Sequence, residues 1–150
     1  EARDAIDLDI VVLIAAAFGL GAAMEVSGLA ERIATGFTEA FGGIGVVGIV
    51  FGVVLATSLM TEIITNNAAA VVVFPIAIAI AGPAGIDPRA MAIAVAITAS
   101  SSFLTPIGYQ TNTMVYGPGG YRFTDYLRLG IPLNVAVLVA VTLATVAMGT

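Results

Sequence analysis

Cysteine, histidine and lysine are absent from this chain. Without cysteine there is no disulfide and no thiolate metal site. Without histidine the commonest general base and metal ligand is missing. Without lysine, Schiff-base chemistry is excluded. Charge is scarce as well: 10% of residues, where a soluble domain carries about a quarter. The net charge of −5 argues against nucleic acid as a partner. Acidic loops would also repel anionic lipid rather than bind it. What remains is apolar: 59% hydrophobic residues and a mean hydropathy of +1.07. The chain reads as an integral membrane protein, with the lipid bilayer as its partner and no catalytic set of an enzyme. It opens Glu1-Ala2-Arg3-Asp4, and no basic segment or small-residue cleavage site precedes the first apolar run. A signal peptide is therefore not expected, and the opening reads like a cut made inside a longer chain.

Residues 1–9 are polar and read as a lead-in. Ile10 to Met24 is apolar, with small residues at Ala15, Ala16, Ala17, Gly19, Gly21, Ala22 and Ala23. Its 15 residues fall short of the roughly 20 needed to span a bilayer, so the helix must borrow flanking residues, tilt little or sit inside protein. Its small-residue surface suits close packing on another helix. From Ser27 to Phe41, Leu29, Ile33, Phe37 and Phe41 recur every four residues, with Glu31, Arg32, Thr35, Thr38 and Glu39 on other faces. That pattern predicts an amphipathic helix lying along the interface.

Two uncharged apolar runs follow, Gly42 to Thr61 and Ala68 to Ala81, with Thr61-Glu62-Ile63-Ile64-Thr65-Asn66-Asn67 between them. A helix–break–helix hairpin with its tip in the membrane is the favoured reading. Two full spans joined by a surface loop are the alternative. Gly82 to Arg89 is a turn, with Asp87 as N-cap and Pro88 in the first turn of the next helix. Ala90 to Tyr121 starts as helix, breaks at Pro106 and Gly108, and resumes as a short half-helix up to Tyr116. Gly117-Pro118-Gly119-Gly120 is a turn. Tyr121 to Arg128 is aromatic and basic, as at a membrane face, and Leu129 to Thr150 is a terminal span. If 1–9 and 122–128 share a side, it holds Arg3, Arg122 and Arg128 against Arg32 and Arg89, which favours that side as cytoplasmic. The hairpin tip then enters from outside.

Hydroxyls, amides, glycine and proline at membrane depth are tolerated where they are buried in protein or face a cavity. Two such breaks suggest a binding site near the bilayer midplane. A sodium ion wants oxygen ligands, which carbonyls freed at a helix break, hydroxyls and amide oxygens supply. An anion wants N–H donors at a helix N-terminus. Thr61, Thr65, Asn66 and Asn67 make a half-site for both. Gly108 allows the second loop to approach closely, and Asn112 and Thr113 offer further polar contacts. Plainer readings stand beside these. An ordinary loop turn is the lesser reading of Asn66-Asn67. Glu62 is either functional or snorkels or pairs with an arginine. Ser100, Ser101 and Ser102 read as packing or back-bonding hydroxyls, and Phe103 and Met114 as packing residues.

At these breaks the chain resembles the divalent anion:sodium symporter family of the wider ion transporter superfamily. That family carries Ser-Asn-Thr at each of two hairpin tips. Here TEIITNNAA stands in that place, with Thr65-Asn66-Asn67 in the signature slots. The family's second loop, Pro-Val-Ala-Thr-Pro-Pro-Asn-Ala-Ile-Val-Phe-Gly, is matched in order by Pro106 to Gly117. The resemblance implies an all-α membrane fold with about three spanning helices, one of them broken, a re-entrant hairpin and an interfacial arm helix. It implies a single transmembrane domain over 1–150, the C-terminal member of two inverted repeats. The N-terminal repeat, with its own sodium site, would lie outside this chain. It implies that Thr61, Asn66 and Gly108 hold sodium, while Thr65, Asn66 and Asn67 touch the anion. Tyr109, Gln110, Thr111 and Asn112 of the second loop would add to the anion site. Asn67 in place of threonine, and Gln110-Thr111 in place of Pro-Pro, point to sulfate or another inorganic anion rather than a dicarboxylate. The implied function is elevator-type, sodium-coupled transport of a small anion, sulfate or carboxylate-like, in the plasma (inner) membrane, multi-pass, as a homodimer, with no cofactor beyond the coupling ion. The alternatives are an arsenite or proton-coupled exchanger with Glu62 as proton carrier, and a non-transporting membrane scaffold.

Overall fold

The computed structural model describes residues 8–149. Among them every regular element is helical: α1 Leu8–Val26, α2 Leu29–Phe41, a 3₁₀ turn Gly42–Ile44, α3 Val46–Thr61, α4 Asn66–Ala81, α5 Pro88–Ala99, α6 Gln110–Tyr116 and α7 Phe123–Gly149. Expectations for residues 1–7 lie outside the described part. α1 does borrow flanking residues, reaching 19 in place of the 15 of the apolar run. That is roughly 28 Å of helix, close to the thickness of a hydrocarbon core. Its Gly21 lies against Pro75 of α4, where an added methyl would come within 3.2 Å.

α2 starts after Gly28, which takes the left-handed conformation at φ 69°. The helix is amphipathic as its period predicts. Ile33, Phe37 and Phe41 are half-buried while Glu31, Arg32 and Glu39 are exposed. Phe37 and Phe41 pack ring to ring at 5.6 Å. α3 and α4, 16 residues each, form a hairpin turned by residues 62–65. Each is roughly 24 Å long, less than a full crossing. Asp87 caps α5 with Pro88 in its first turn, its Oδ1 accepting from Arg89 N at 2.9 Å. The core gathers Val50, Val53 and Val54 from α3, Val73 and Ile80 from α4, Met91 and Val95 from α5, and Leu138 and Val141 from α7.

Three boundaries differ from expectation. α4 begins at Asn66, not Ala68, because Thr65 caps it and accepts from Ala68 N at 3.3 Å. The second break runs over 100–109 and opens at Ser100 rather than at Pro106. Ser100 and Ser101 turn their hydroxyls onto Ala96 O and Ile97 O at 3.1 and 2.8 Å, competing with the helix for its own carbonyls. α7 absorbs the aromatic stretch and runs for 27 residues. Arg122 N donates to Asp125 Oδ2 at 2.8 Å at its start, and the ring of Tyr126 packs on Tyr116 and Tyr121 at 6.0 and 6.1 Å. Charged residues there extend the helix because they decorate its first turns without breaking it. Among the described residues α7 is long and apolar enough to cross a membrane, while α3, α4 and α5 are shorter apolar helices.

α7 also measures where the breaks lie. Gly130 abuts the backbone of Phe103, and Asn134 Oδ1 accepts from Ser58 Oγ at 3.0 Å. These residues sit roughly 10 to 16 Å along a helix of about 40 Å. The loop can approach because residue 130 lacks a side chain: a methyl there would lie 2.2 Å from Phe103 O. Glycine to alanine inside a helix ordinarily stabilises by about 1 kcal/mol. Gly130→Ala is expected to reverse that sign and cost about 1 to 3 kcal/mol by overpacking against rigid backbone. A melting temperature lowered by several degrees in detergent checks it, and one that rises disproves the contact.

Candidate ion-binding site

Helix ends converge at the two breaks. α3 stops at Thr61 and α4 starts at Asn66, while α5 stops at Ala99 and α6 starts at Gln110. Each end leaves backbone groups without intrahelical partners, and the site is largely an account of where those groups go.

Glu62 takes one set. It is 7% exposed, and its carboxylate accepts from three consecutive amides of the second break: Phe103 N at 2.8 Å, Leu104 N at 3.0 Å and Thr105 N at 3.0 Å. Its own carbonyl accepts from Thr105 Oγ1 at 3.3 Å. So among the described residues Glu62 neither snorkels nor pairs with an arginine. It ties the hairpin tip to the broken helix with charge-assisted bonds. Thr105 Oγ1 in turn accepts from Gly108 N at 3.0 Å, closing a hydroxyl-capped turn over Thr105 to Gly108.

Beside this clamp, Asn66 reaches across the gap between the breaks. Its Nδ2 donates to Thr61 Oγ1 at 2.8 Å and to Gly108 O and Ala99 O at 3.2 Å each. Thr61 is fully buried, and its hydroxyl donates to Ala99 O at 2.5 Å. Thr61, Asn66 and Gly108, separated by up to 47 residues in sequence, are thus one cluster. All its oxygens are neutral, and among the described residues no group of acidic side chains could hold a metal ion. Gly108 is required sterically: a methyl on it would lie 2.0 Å from Ser102 Oγ, 3.0 Å from Thr61 O and 3.1 Å from Thr105 Oγ1.

The remaining candidates divide. Thr65 and Asn67 flank Asn66, and Tyr109, Gln110 and Thr111 follow Gly108; all are exposed. Asn112 and Thr113 turn inward to brace the loop. Asn112 Nδ2 donates to Ser102 O at 3.0 Å and Thr105 O at 3.1 Å, and Thr113 Oγ1 donates to Pro106 O at 2.7 Å. Tyr126 Oη donates to Asn112 O at 3.0 Å, holding α6 against α7. Met114, expected in the packing, is 75% exposed because α6 lies on the outside of the bundle. Ser102, read as a packing or back-bonding hydroxyl, is buried and does not back-bond. An apolar groove of about 900 Å³ between α1, α4 and α5, bordered by Phe18, Phe74, Pro75 and Val95, contains none of the polar cluster.

The family model described as "Citrate transporter" matches residues 1–149. The chain belongs to the citrate transporter family. It is therefore a membrane protein of a transporter family, not an enzyme. Among curated relatives of this citrate transporter family member, an uncharacterized transporter of Synechocystis is 46% identical over 143 residues, covering 95% of this chain and 23% of the relative. Sodium/sulfate cotransporter 1 of Chlamydomonas reinhardtii is 39% identical over 141 residues, 93% of this chain and 16% of the relative. A sodium-dependent high-affinity dicarboxylate transporter of Caenorhabditis elegans is 25% identical over 132 residues, 88% of this chain and 24% of the relative. The chain thus spans about a quarter or less of the relatives it matches. Their names agree with the resemblance to divalent anion:sodium symporters.

Within this citrate transporter family chain, the sequence pointed to Thr61, Asn66 and Gly108. It did not reveal Ala99 O, Thr105 or the partners of Glu62. Thr105, three residues before Gly108, carried a usable signal as the head of a hydroxyl-capped turn. The carbonyl of Ala99 carried none.

Proposed function

We propose that this chain forms one half of a sodium-coupled transporter of a small anion, with sulfate or another inorganic anion favoured over a dicarboxylate. The observation that carries this is the convergence of Thr61 Oγ1, Ala99 O and Gly108 O on the Asn66 amide. Mutually facing neutral oxygens are what a monovalent cation needs, and they cost little buried charge. Sodium here is cargo and coupling ion. Bound among these oxygens, it displaces the Asn66 N–H donors and draws the amide oxygen inward in their place. The exposed polar groups on either side, Thr65, Asn67, Tyr109, Gln110 and Thr111, then meet the anion. The start of α4 adds its dipole and free amides. Sodium binding draws Asn66 onto the 108 loop and so orders the anion contacts, which couples the two solutes. The Glu62 clamp makes hairpin and broken helix one body, the form an elevator movement requires.

The rest of the site would come from an N-terminal repeat of a longer chain, the assembly being a homodimer in the plasma membrane. The names of the sodium/sulfate cotransporters among the relatives support the choice of solutes. A proton carrier at Glu62 is less well supported, since both carboxylate oxygens already hold backbone amides. A scaffold role is less well supported, since the relatives are named as transporters.

The test is labelled sulfate uptake by the intact protein in proteoliposomes. Uptake is expected with an inward sodium gradient, and not with a proton gradient in choline. Uptake driven by protons alone would transfer the role to Glu62. No uptake of any anion, together with melting insensitive to sodium and sulfate, would favour the scaffold.

A further inference from the structure

Ser100, Ser101 and Ser102 are chemically alike but end up in different situations. The first two donate to carbonyls four residues back. Ser102 is 2% exposed, and its Oγ has no hydrogen-bond partner among the described residues. A buried hydroxyl left unpaired is unfavourable, and in native proteins it needs a reason. Its position supplies one. The oxygen lies 2.0 Å from the point where a methyl on Gly108 would sit, a point also 3.0 Å from Thr61 O. Gly108 supplies the carbonyl of the Asn66 cluster, and Thr61 supplies its hydroxyl. Thr61 O ends α3, where intrahelical donors run out. Thr105 Oγ1, also 3.1 Å from that point, is already engaged with Gly108 N and Glu62 O. The free hydroxyl therefore stands beside the oxygen cluster with acceptors for neighbours.

We propose that the Ser102 hydroxyl is a further ligand of the coupling cation, seated in the space that glycine at 108 leaves open, and that it sets the preference for sodium over lithium. The inference rests on the sodium reading of the Thr61, Asn66 and Gly108 cluster. Ligand number and cavity size decide between cations of one charge class. An added oxygen favours the larger ion, which accommodates more ligands, over the smaller one.

The experiment titrates the melting temperature of the intact protein in detergent with NaCl or LiCl, replacing choline chloride at constant ionic strength. Wild type is expected to be stabilised saturably by sodium and less by lithium. Ser102→Ala removes no hydrogen bond, so its melting in choline should match wild type. The sodium concentration for half-stabilisation should rise about tenfold, and the gap between sodium and lithium should narrow. A sodium titration of Ser102→Ala that coincides with wild type, while Asn66→Ala loses sodium stabilisation, overturns the role of Ser102 and leaves the cluster standing. Sodium stabilisation that survives in Asn66→Ala overturns the cluster itself, and this inference with it.

Discussion

Glu62→Ala is expected to melt the region between the two breaks and to lower stability by about 3 to 5 kcal/mol. The estimate follows from what the carboxylate holds. Three backbone amides, those of Phe103, Leu104 and Thr105, donate to it at 2.8 to 3.0 Å. A buried donor that loses its acceptor costs about 1 to 3 kcal/mol. The segment is half-buried, so water restores part of the loss. Glu62→Gln separates charge from geometry. It keeps one oxygen as acceptor but turns an amide nitrogen toward one of the N–H groups, at a cost of about 1 to 3 kcal/mol. Hydrogen exchange at residues 103–105 is the direct readout. Those amides are expected to exchange slowly in wild type and fast in Glu62→Ala, while α7 stays protected in both. Unchanged protection and melting would remove the clamp. The rival role for Glu62 makes the opposite forecast, since a proton carrier replaced by glutamine leaves folding intact and abolishes proton coupling.

That clamp also shows why part of the site was readable in sequence and part was not. The breaks at 62–65 and 100–109 announced themselves as hydroxyls, amides, glycine and proline between uncharged apolar runs. Asp87 before Pro88, and Ile33, Phe37 and Phe41 at helical spacing, are local signals of the same grade. Each depends on residues a few places apart. The partners of Glu62 lie 41 to 43 residues away and are backbone amides, which every non-proline residue carries. No side-chain pattern encodes such a contact. The same holds for Ala99 O and for Gly130 against Phe103, where the informative feature is a missing side chain. Boundaries slipped where two local preferences compete. Thr65 takes the cap and pulls Asn66 into α4, and the serines end α5 well before Pro106 does. Asn112 matches the family's loop in order, yet its amide nitrogen is held by Ser102 O and Thr105 O, an arrangement that position in a motif does not disclose.

The clamp and the oxygen cluster depend on each other through Thr61 to Asn66. Thr61 closes α3 with its hydroxyl on Ala99 O, Glu62 fixes the next loop, and Asn66 opens α4 across from Gly108. A cation bound between Asn66 and Gly108, as proposed, would pull on two helix ends that Glu62 already holds in register. Preorganisation of this kind lowers the ordering cost of binding. It also means that losing Glu62 should weaken sodium binding without any direct contact to the ion.

Asn66→Ala is expected to lower sodium-dependent uptake by the intact protein by at least about a hundredfold, while membrane insertion and expression stay near wild type. The side chain removed is the one whose amide nitrogen joins Thr61, Ala99 and Gly108. Alanine in the first turn of α4 keeps the helix, since the cap is supplied by Thr65. The folding cost is thus limited to the hydrogen bonds of one half-buried amide, whereas the cation loses a ligand and its link between the two breaks. Asn66→Asp sharpens the argument. A carboxylate offers oxygens only and adds a charge, so it cannot reproduce the donor role of the amide nitrogen. Sodium should bind Asn66→Asp at least as tightly as wild type, yet turnover should fall, because release no longer has a hydrogen-bonded state to return to. Sodium-dependent melting reports the first effect and initial uptake rates the second. Weak sodium binding together with normal turnover in Asn66→Asp would mean that the amide does not alternate, and that coupling is carried by some other group.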